Sequence, residues 1–331
     1  MVGSLPQREL CEARVRLLDL GRTTALRSQA VYHAVAECAG ADDPPTLCIL
    51  HPDRPYVSIG YHQDAAREID LDYCRSRGIP VIRRRVGGGA VLLDADQLFF
   101  HLLLPHKRLA ALGLTRRFDE RYARLAAPAI AAYRALGVPA AFRPVNDIHV
   151  DGRKIGGTGA ADIEECFVFV GSMMLAFDHA LMARVLRFAD EGMRREVQRS
   201  IERYVTSLEQ LCGEKPDLAM VHDALLAGFC KELTVELEPG HLSSVEASKA
   251  AELEALFASE DWLNRITWSR ERPRALAINC AVRYLEALTT NGVTVAVRVV
   301  EGAVDSVRVG GAADGAEVAT LTRKLIAAAG A

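Results

Sequence analysis

The sequence predicts an α+β protein, with mixed and antiparallel sheets flanked by helices and a small α+β domain at the C-terminal end. Three observations predict it. Short apolar runs bounded by proline and glycine recur along the chain and read as strands. Between them lie stretches whose apolar residues fall at helical spacing. Near Pro239-Gly240 the character shifts, and a compact unit of strands, a turn and a helix follows. The division expected is a large catalytic domain over residues 1–240 and a small accessory domain over 241–331.

Residues 24–38 (TALRSQAVYHAVAEC) contain few breakers and read as a helix. Residues 46–51 (TLCILH) and 55–60 (PYVSIG) are short strands. Residues 68–77 are helical and stop at Gly78. A strand from Ile79 to Arg83 enters a basic, glycine-rich stretch. Residues 90–93 and 97–104 are expected to pair across a turn near Asp94 to Asp96. Residues 116–136 form the clearest amphipathic helix, with Phe118, Tyr122, Leu125 and Tyr133 near one face. Asp147 to Ile155 alternates around Asp151-Gly152, a hairpin signal. Residues 166–175 (CFVFVGSMML) read as a strand, and 178–188 and 217–233 as helices. Beyond the shift come a helix at 244–258, strands at 274–280, 293–300 and 304–309 with a turn at Glu301-Gly302, and a helix at 316–329.

Composition narrows the function classes. The chain has 331 residues, 50% hydrophobic and 25% charged, which suits one large domain with a smaller one. A net charge of -3 and a pI of about 6.3 give no field for non-specific nucleic-acid binding. The apolar runs are too short to span a bilayer, and the N-terminus (MVGSLPQREL) has no apolar signal-peptide core. A cytoplasmic protein is expected, a monomer by default, with neither nucleic acid nor membrane as partner. The eight cysteines form no C-x-x-C pair and no zinc spacing, so reduced and mostly buried thiols are expected.

Two constellations carry chemistry. The first is Arg83-Arg84-Arg85-Val86-Gly87-Gly88-Gly89-Ala90. Glycines let the backbone approach a ligand, and arginine offers a fixed fork of donors for phosphate or carboxylate. The same residues also suit a flexible turn beside solvated arginines. No Walker A or Rossmann spacing is present. The second runs from Asn146-Asp147 through Asp151-Gly152 to Lys154-Ile155-Gly156-Gly157. The turn would return Lys154 toward Asp147, where its point charge suits an acyl phosphate; a solvated hairpin lysine is the plainer alternative. Asp147 could hold Lys154 or a metal ion, or cap a turn.

RRRVGGGAVLLD resembles the R-R-x-S-G-G-G-x-V-x-H-D segment of lipoate–protein ligases and their biotin-ligase relatives, and VNDIHVDGRKIGGTG resembles their N-D-(x)-V-x-G-R-K-I-x-G-S-A segment. VSIGYHQDAAREID, with Gly60 and Gln63, FVFVGSMML (against H-G-T-L-L) and RYVTSLEQL (against R-V-T-N-L) follow in the family's order. GVTVAVRVVEGAVDSVRVGG is similar to the accessory domain of bacterial lipoate ligases. The resemblance implies a biotin/lipoate ligase-like catalytic domain that turns ATP and lipoate or octanoate into an acyl-adenylate. The acyl group then passes to a lysine of a carrier: a lipoyl domain of a 2-oxoacid dehydrogenase, a glycine-cleavage-type carrier or a specialised one. It implies that Lys154 contacts the acyl carbonyl and the phosphate. Arg84, Gly87, Gly88, Gly89, Ala90, Gly157 and Thr158 would bind lipoate and adenylate. Asn146 and Asp147 would lie on the nucleotide side, with Asp147 toward Mg2+.

The chain departs from the pattern at Val86 (Ser), Leu93 (His), Val170 (His) and Gly157-Thr158-Gly159 (G-S-A), which is consistent with an altered acyl substrate, a specialised carrier or a weakened activity. Two other readings compete with the ligase. One is an octanoyl- or lipoyl-transferase working through a cysteine thioester. Transferases of this type place a cysteine before the lysine motif, where this chain has Ala140-Ala141-Phe142-Arg143-Pro144; the candidate thiol is then Cys166, which heads an apolar strand where a buried thiol is the plainer reading. The other is a non-catalytic lipoyl-binding paralogue.

Overall fold

The computed structural model describes residues 13–115, 117–266, 273–288, 293–310 and 315–329. Its centre is an eight-stranded mixed sheet. In spatial order the strands are Val235–Pro239, Ala13–Thr23, Thr46–Pro52, Gln97–Pro105, Cys166–Met174, Arg153–Ile163, Asp147–Val150 and Ala141–Arg143. The first two junctions are parallel and the remaining five antiparallel.

The strand Gln97–Pro105 (QLFFHLLLP) is buried at every position, because helices cover both faces of the sheet. Leu98, Phe100, Leu102 and Leu104 meet Tyr122, Leu125 and Tyr133 of helix Phe118–Ala135 and Val221, Leu225 and Phe229 of helix Leu218–Leu233 in one core. Phe99 and Leu103 alternate to the other face, against helix Ala25–Cys38. Each such leucine or phenylalanine contributes roughly 1.5–3 kcal/mol on burial. Phe118, counted with the buried face on spacing alone, is 54% exposed at the helix start.

A three-stranded sheet (Val81–Arg83, Tyr56–Ile59, Val91–Leu93) carries the glycine-rich loop. The expected pairing of 90–93 with 97–104 is therefore corrected. Val91–Leu93 pairs with Tyr56–Ile59, while Gln97–Pro105 enters the large sheet. The turn between them passes the chain from one sheet to the other. The helix expected over 68–77 is two, Ala65–Glu68 and Leu71–Ser76, because the Asp70 carboxylate caps a new start by accepting from the Tyr73 N–H. Strands Ala13–Thr23, Val235–Pro239 and Val282–Leu288 and helix Glu191–Tyr204 were not anticipated.

The C-terminal unit is a four-stranded antiparallel sheet, Arg274–Ala277, Val282–Leu288, Thr294–Val300 and Ala303–Gly310, packed by helix Gly315–Ala329. Helix Ser244–Phe257, although beyond residue 240, shares the core of the large unit through Ala250, Leu253 and Phe257. Among the described residues no helix is long and apolar enough to cross a membrane.

Candidate active site

The hairpin turn Asp151-Gly152 has φ of 48° and 77°, the paired positive values that a tight two-residue loop requires. It sends the chain back so that Lys154 Nζ lies 2.8 Å from Asp147 Oδ1. Asp147 is buried, at 2% side-chain exposure, and Lys154 keeps a quarter of its surface. The lysine backbone is fixed from two directions. Its carbonyl accepts from the Thr206 N–H at 2.8 Å, and the next carbonyl, of Ile155, accepts from the buried Tyr133 hydroxyl at 2.7 Å. Gly157 leaves room for the side chain: a Cβ there would sit 3.1 Å from Lys154 Cε and 3.2 Å from Nζ.

The pair stands in the wall of a cavity of about 520 Å3. The residues that the resemblance assigned to acyl, adenylate and nucleotide binding all line it: Lys154, Asn146 and Asp147, Arg84, Gly87, Gly88, Gly89 and Ala90, and Gly157 and Thr158. Their polar groups are not all free for a ligand. Asn146 Nδ2 donates to the Thr158 carbonyl at 2.6 Å, and Thr158 Oγ1 donates to the Asn146 carbonyl at 2.9 Å. Arg84 donates to the carbonyls of Gly87 (2.7 Å), Gly89 (2.8 Å) and Ser58 (2.9 Å), so its fork staples the loop. Gly88 adopts φ 93°, and its carbonyl would lie 2.0 Å from any Cβ at Gly60. Only glycine at both positions allows that crossing. Arg83 is fully buried and donates to the carbonyls of Tyr61, Trp262 and Leu263; Arg85 pairs with Glu37. The three arginines thus build the loop's frame.

Val86, Leu93 and Val170, which stand where the family pattern has polar residues, also line the cavity. Directly across the ladder from Val170 is His101. His101 lines the same cavity and is 4% exposed, and its Nδ1 has no hydrogen-bond partner among the described residues. Burial first, then the neighbouring His33, lowers it to about 3, so it is neutral.

Cys166 is corrected as a candidate thiol. It is fully buried in the core beneath helix Ala25–Cys38 and does not line the cavity, and burial raises it to about 11. The thiol that does line the cavity is Cys280, in the turn between the first two strands of the C-terminal sheet. Its N–H donates to Asp147 Oδ2 at 2.6 Å, and its Sγ lies 3.8 Å from Asn146 Oδ1 and 4.0 Å from the Arg143 carbonyl. Nothing in the residues around Cys280 announces this; only the tertiary fold brings it to Lys154. Cys11 lies outside the described residues.

Asp147 was also the expected magnesium ligand. One of its oxygens holds Lys154 and the other the Cys280 amide, and among the described residues no group of three His, Cys, Asp or Glu gathers to hold a metal. With both oxygens engaged within the protein, Asp147 does not present an open donor set for the ion.

Fold and cavity together define a catalytic domain of the lipoyl-ligase class. Residues 24–230 match the lipoyl protein ligase A/B catalytic domain, and the chain belongs to that family. It is similar to the octanoyltransferase LipM of Kyrpidia tusciae, 31% identical over 272 residues covering 75% of this chain and 97% of that protein. The LipM of Moorella thermoacetica is 28% identical over 270 residues, covering 76% and 97%. Among solved structures, the bipartite lipoate protein ligase of Thermoplasma acidophilum, described with its E2 lipoyl domain, superposes with a TM-score of 0.68. It has 25% identity, over 78% of this chain and 98% of that one.

Proposed function

We propose that the protein transfers an octanoyl or lipoyl group from a thioester donor onto a lysine of a lipoyl carrier domain. The observation that carries this reading is Lys154, fixed by Asp147 in the wall of an apolar and glycine-lined cavity of ligand size. A carbonyl held there places its oxygen near the ammonium. Attack by the acceptor amine builds negative charge on that oxygen, and a charge already in position stabilises it without reorganisation. Val86, Leu93 and Val170 make the wall apolar enough for a saturated chain.

Two points favour a thioester donor. The two LipM relatives named above are octanoyltransferases, similar to this chain over about three quarters of its length. The Asn146 and Asp147 groups expected on the nucleotide side are engaged within the protein. The second reading is an ATP-dependent lipoate ligase, favoured by the likeness to the Thermoplasma enzyme. One experiment separates them. Apo lipoyl domain is incubated either with an octanoyl thioester and no nucleotide, or with octanoate or lipoate, ATP and Mg2+, and its mass is followed. Modification from the thioester alone supports the transferase; modification only with ATP and free acid overturns it in favour of the ligase. Lys154→Gln should lower the transfer rate roughly a hundredfold or more in the productive assay. A rate within twofold of wild type would remove Lys154 from the mechanism.

A further inference from the structure

We propose that Cys280, supplied by the C-terminal sheet, is the nucleophile that carries the acyl group as a thioester between donor and acceptor. This rests on the thioester-transfer reading above and names the group that performs it.

Among the described cysteines, Cys48, Cys74 and Cys166 are buried in cores, and Cys38, Cys212 and Cys230 do not line the cavity. Cys280 does. It is also wired to the lysine. Asp147 accepts from Lys154 on one oxygen and from the Cys280 N–H on the other, so the backbone that carries the thiol is tied through one carboxylate to the ammonium. A second observation marks the cavity as built for a ligand. His101, all but buried, presents a wall whose Nδ1 is unsatisfied among the described residues, and such groups are rare unless something else bonds them.

The turn that holds Cys280 is constructed rather than draped. Asn279 Oδ1 accepts from the N–H groups of Ala281 and Val282, both at 2.9 Å, which shapes the turn. Asn279 Nδ2 donates to the Gly152 carbonyl at 3.3 Å, the glycine of the hairpin that aims Lys154. Arg143, whose carbonyl faces the Cys280 sulfur, is paired with Glu301 of the C-terminal unit at 2.6 Å. Thiol and lysine are therefore placed by contacts that span the same junction.

The chemistry balances. The Cys280 sulfur attacks the donor's thioester carbonyl, its proton passing to the Asp147 carboxylate, and the tetrahedral oxyanion forms beside Lys154. Collapse breaks the donor's C–S bond, and the departing thiolate takes the proton from Asp147. The acceptor lysine's neutral amine then attacks the Cys280 thioester. A C–N bond forms, the C–S bond to Cys280 breaks, and the amine's proton ends on the Cys280 thiol. Thioester exchange followed by amide formation needs no nucleotide or oxidant.

The test uses the full-length protein with octanoyl-pantetheine as donor. Without acceptor, intact mass should show one added octanoyl group, released by hydroxylamine and mapped to the peptide containing Cys280. Cys280→Ser and Cys280→Ala should lose that adduct and slow transfer to apo lipoyl domain at least a hundredfold, with an unchanged melting temperature. Wild-type transfer rates in Cys280→Ala, or an adduct mapped to another residue, would overturn the assignment while leaving the transferase reading in place. No transfer by the wild-type chain from the thioester, with transfer from octanoate and ATP, would remove that reading and this one together. Should the variants unfold, the adduct map on the wild-type chain decides alone.

Discussion

At position 157 one methyl group decides where Lys154 stands. A Cβ there would press on Cε at 3.1 Å and Nζ at 3.2 Å, and the flexible lysine tip is the part that must give. Gly157→Ala should therefore lower the transfer rate about tenfold, in line with the cost of small misplacements, with little change in thermal stability. A wild-type rate would show that the lysine tolerates the shift. Lys154, Asp147 and the triple glycine stood out through the family resemblance, because a hairpin signal and a glycine run by themselves also suit a solvated turn. His101 was not: inside QLFFHLLLP it reads as one more core position. Cys280 was not either, since the contacts that matter to it come from Asn146 and Asp147, far away in the chain.

At the scale of elements, the turn Asp94 to Asp96 is where local reading failed and where a pH effect follows. Two adjacent apolar runs looked like a hairpin, but each finds its partners in a different sheet. Pairing partners are chosen by burial across the whole layer, which sequence spacing does not encode. Burial, then the Asp96 and Asp178 carboxylates, push Asp94 up to about 6 despite the Asp96 N–H that it accepts. Its unfolded value is about 3.9, so the folded chain holds an extra proton between those values. Stability contributed at this site therefore falls as pH rises from about 4 to about 6, and the cost is complete above that. Asp94→Asn keeps the acceptor for the Asp96 N–H and removes the charge. It should stabilise the protein by about 1 kcal/mol at pH 7.5, allowing for the residual exposure of the group. The gain should shrink toward pH 4 in thermal melts; a gain independent of pH would contradict the assignment.

At the scale of the molecule, the fold class was readable and the junction between units was not. Helix Ser244–Phe257 looked like the start of the small domain because it follows Pro239-Gly240 and has a polar face. It belongs instead to the large core, where Glu246 pairs with Arg16 and Phe257 stacks on Trp262. The C-terminal sheet is held by Arg274, 4% exposed, which donates to Glu68 at 2.8 Å and Glu286 at 2.7 Å. Arg274→Ala would leave two buried carboxylates without their cation, at a cost of about 3–5 kcal/mol. Denaturant melts should show that loss. Transfer should fall with it at temperatures where the chain is still folded, because the strand that begins at Arg274 leads into the Cys280 turn. Full transfer in a destabilised but folded variant would separate the sheet from catalysis.

The stapled glycine loop has a kinetic consequence. Val86, Gly87, Gly88 and Gly89 are each fixed at the backbone, by the Tyr61 N–H, by Arg84 or by the crossing with Gly60. The roof over the cavity is thus finished before any substrate arrives, and ordering it adds nothing to the entropy of binding. On the transfer reading, an acyl chain would meet a wall already in place, and its dwell time would be set by the side chains that it touches rather than by a loop that must close.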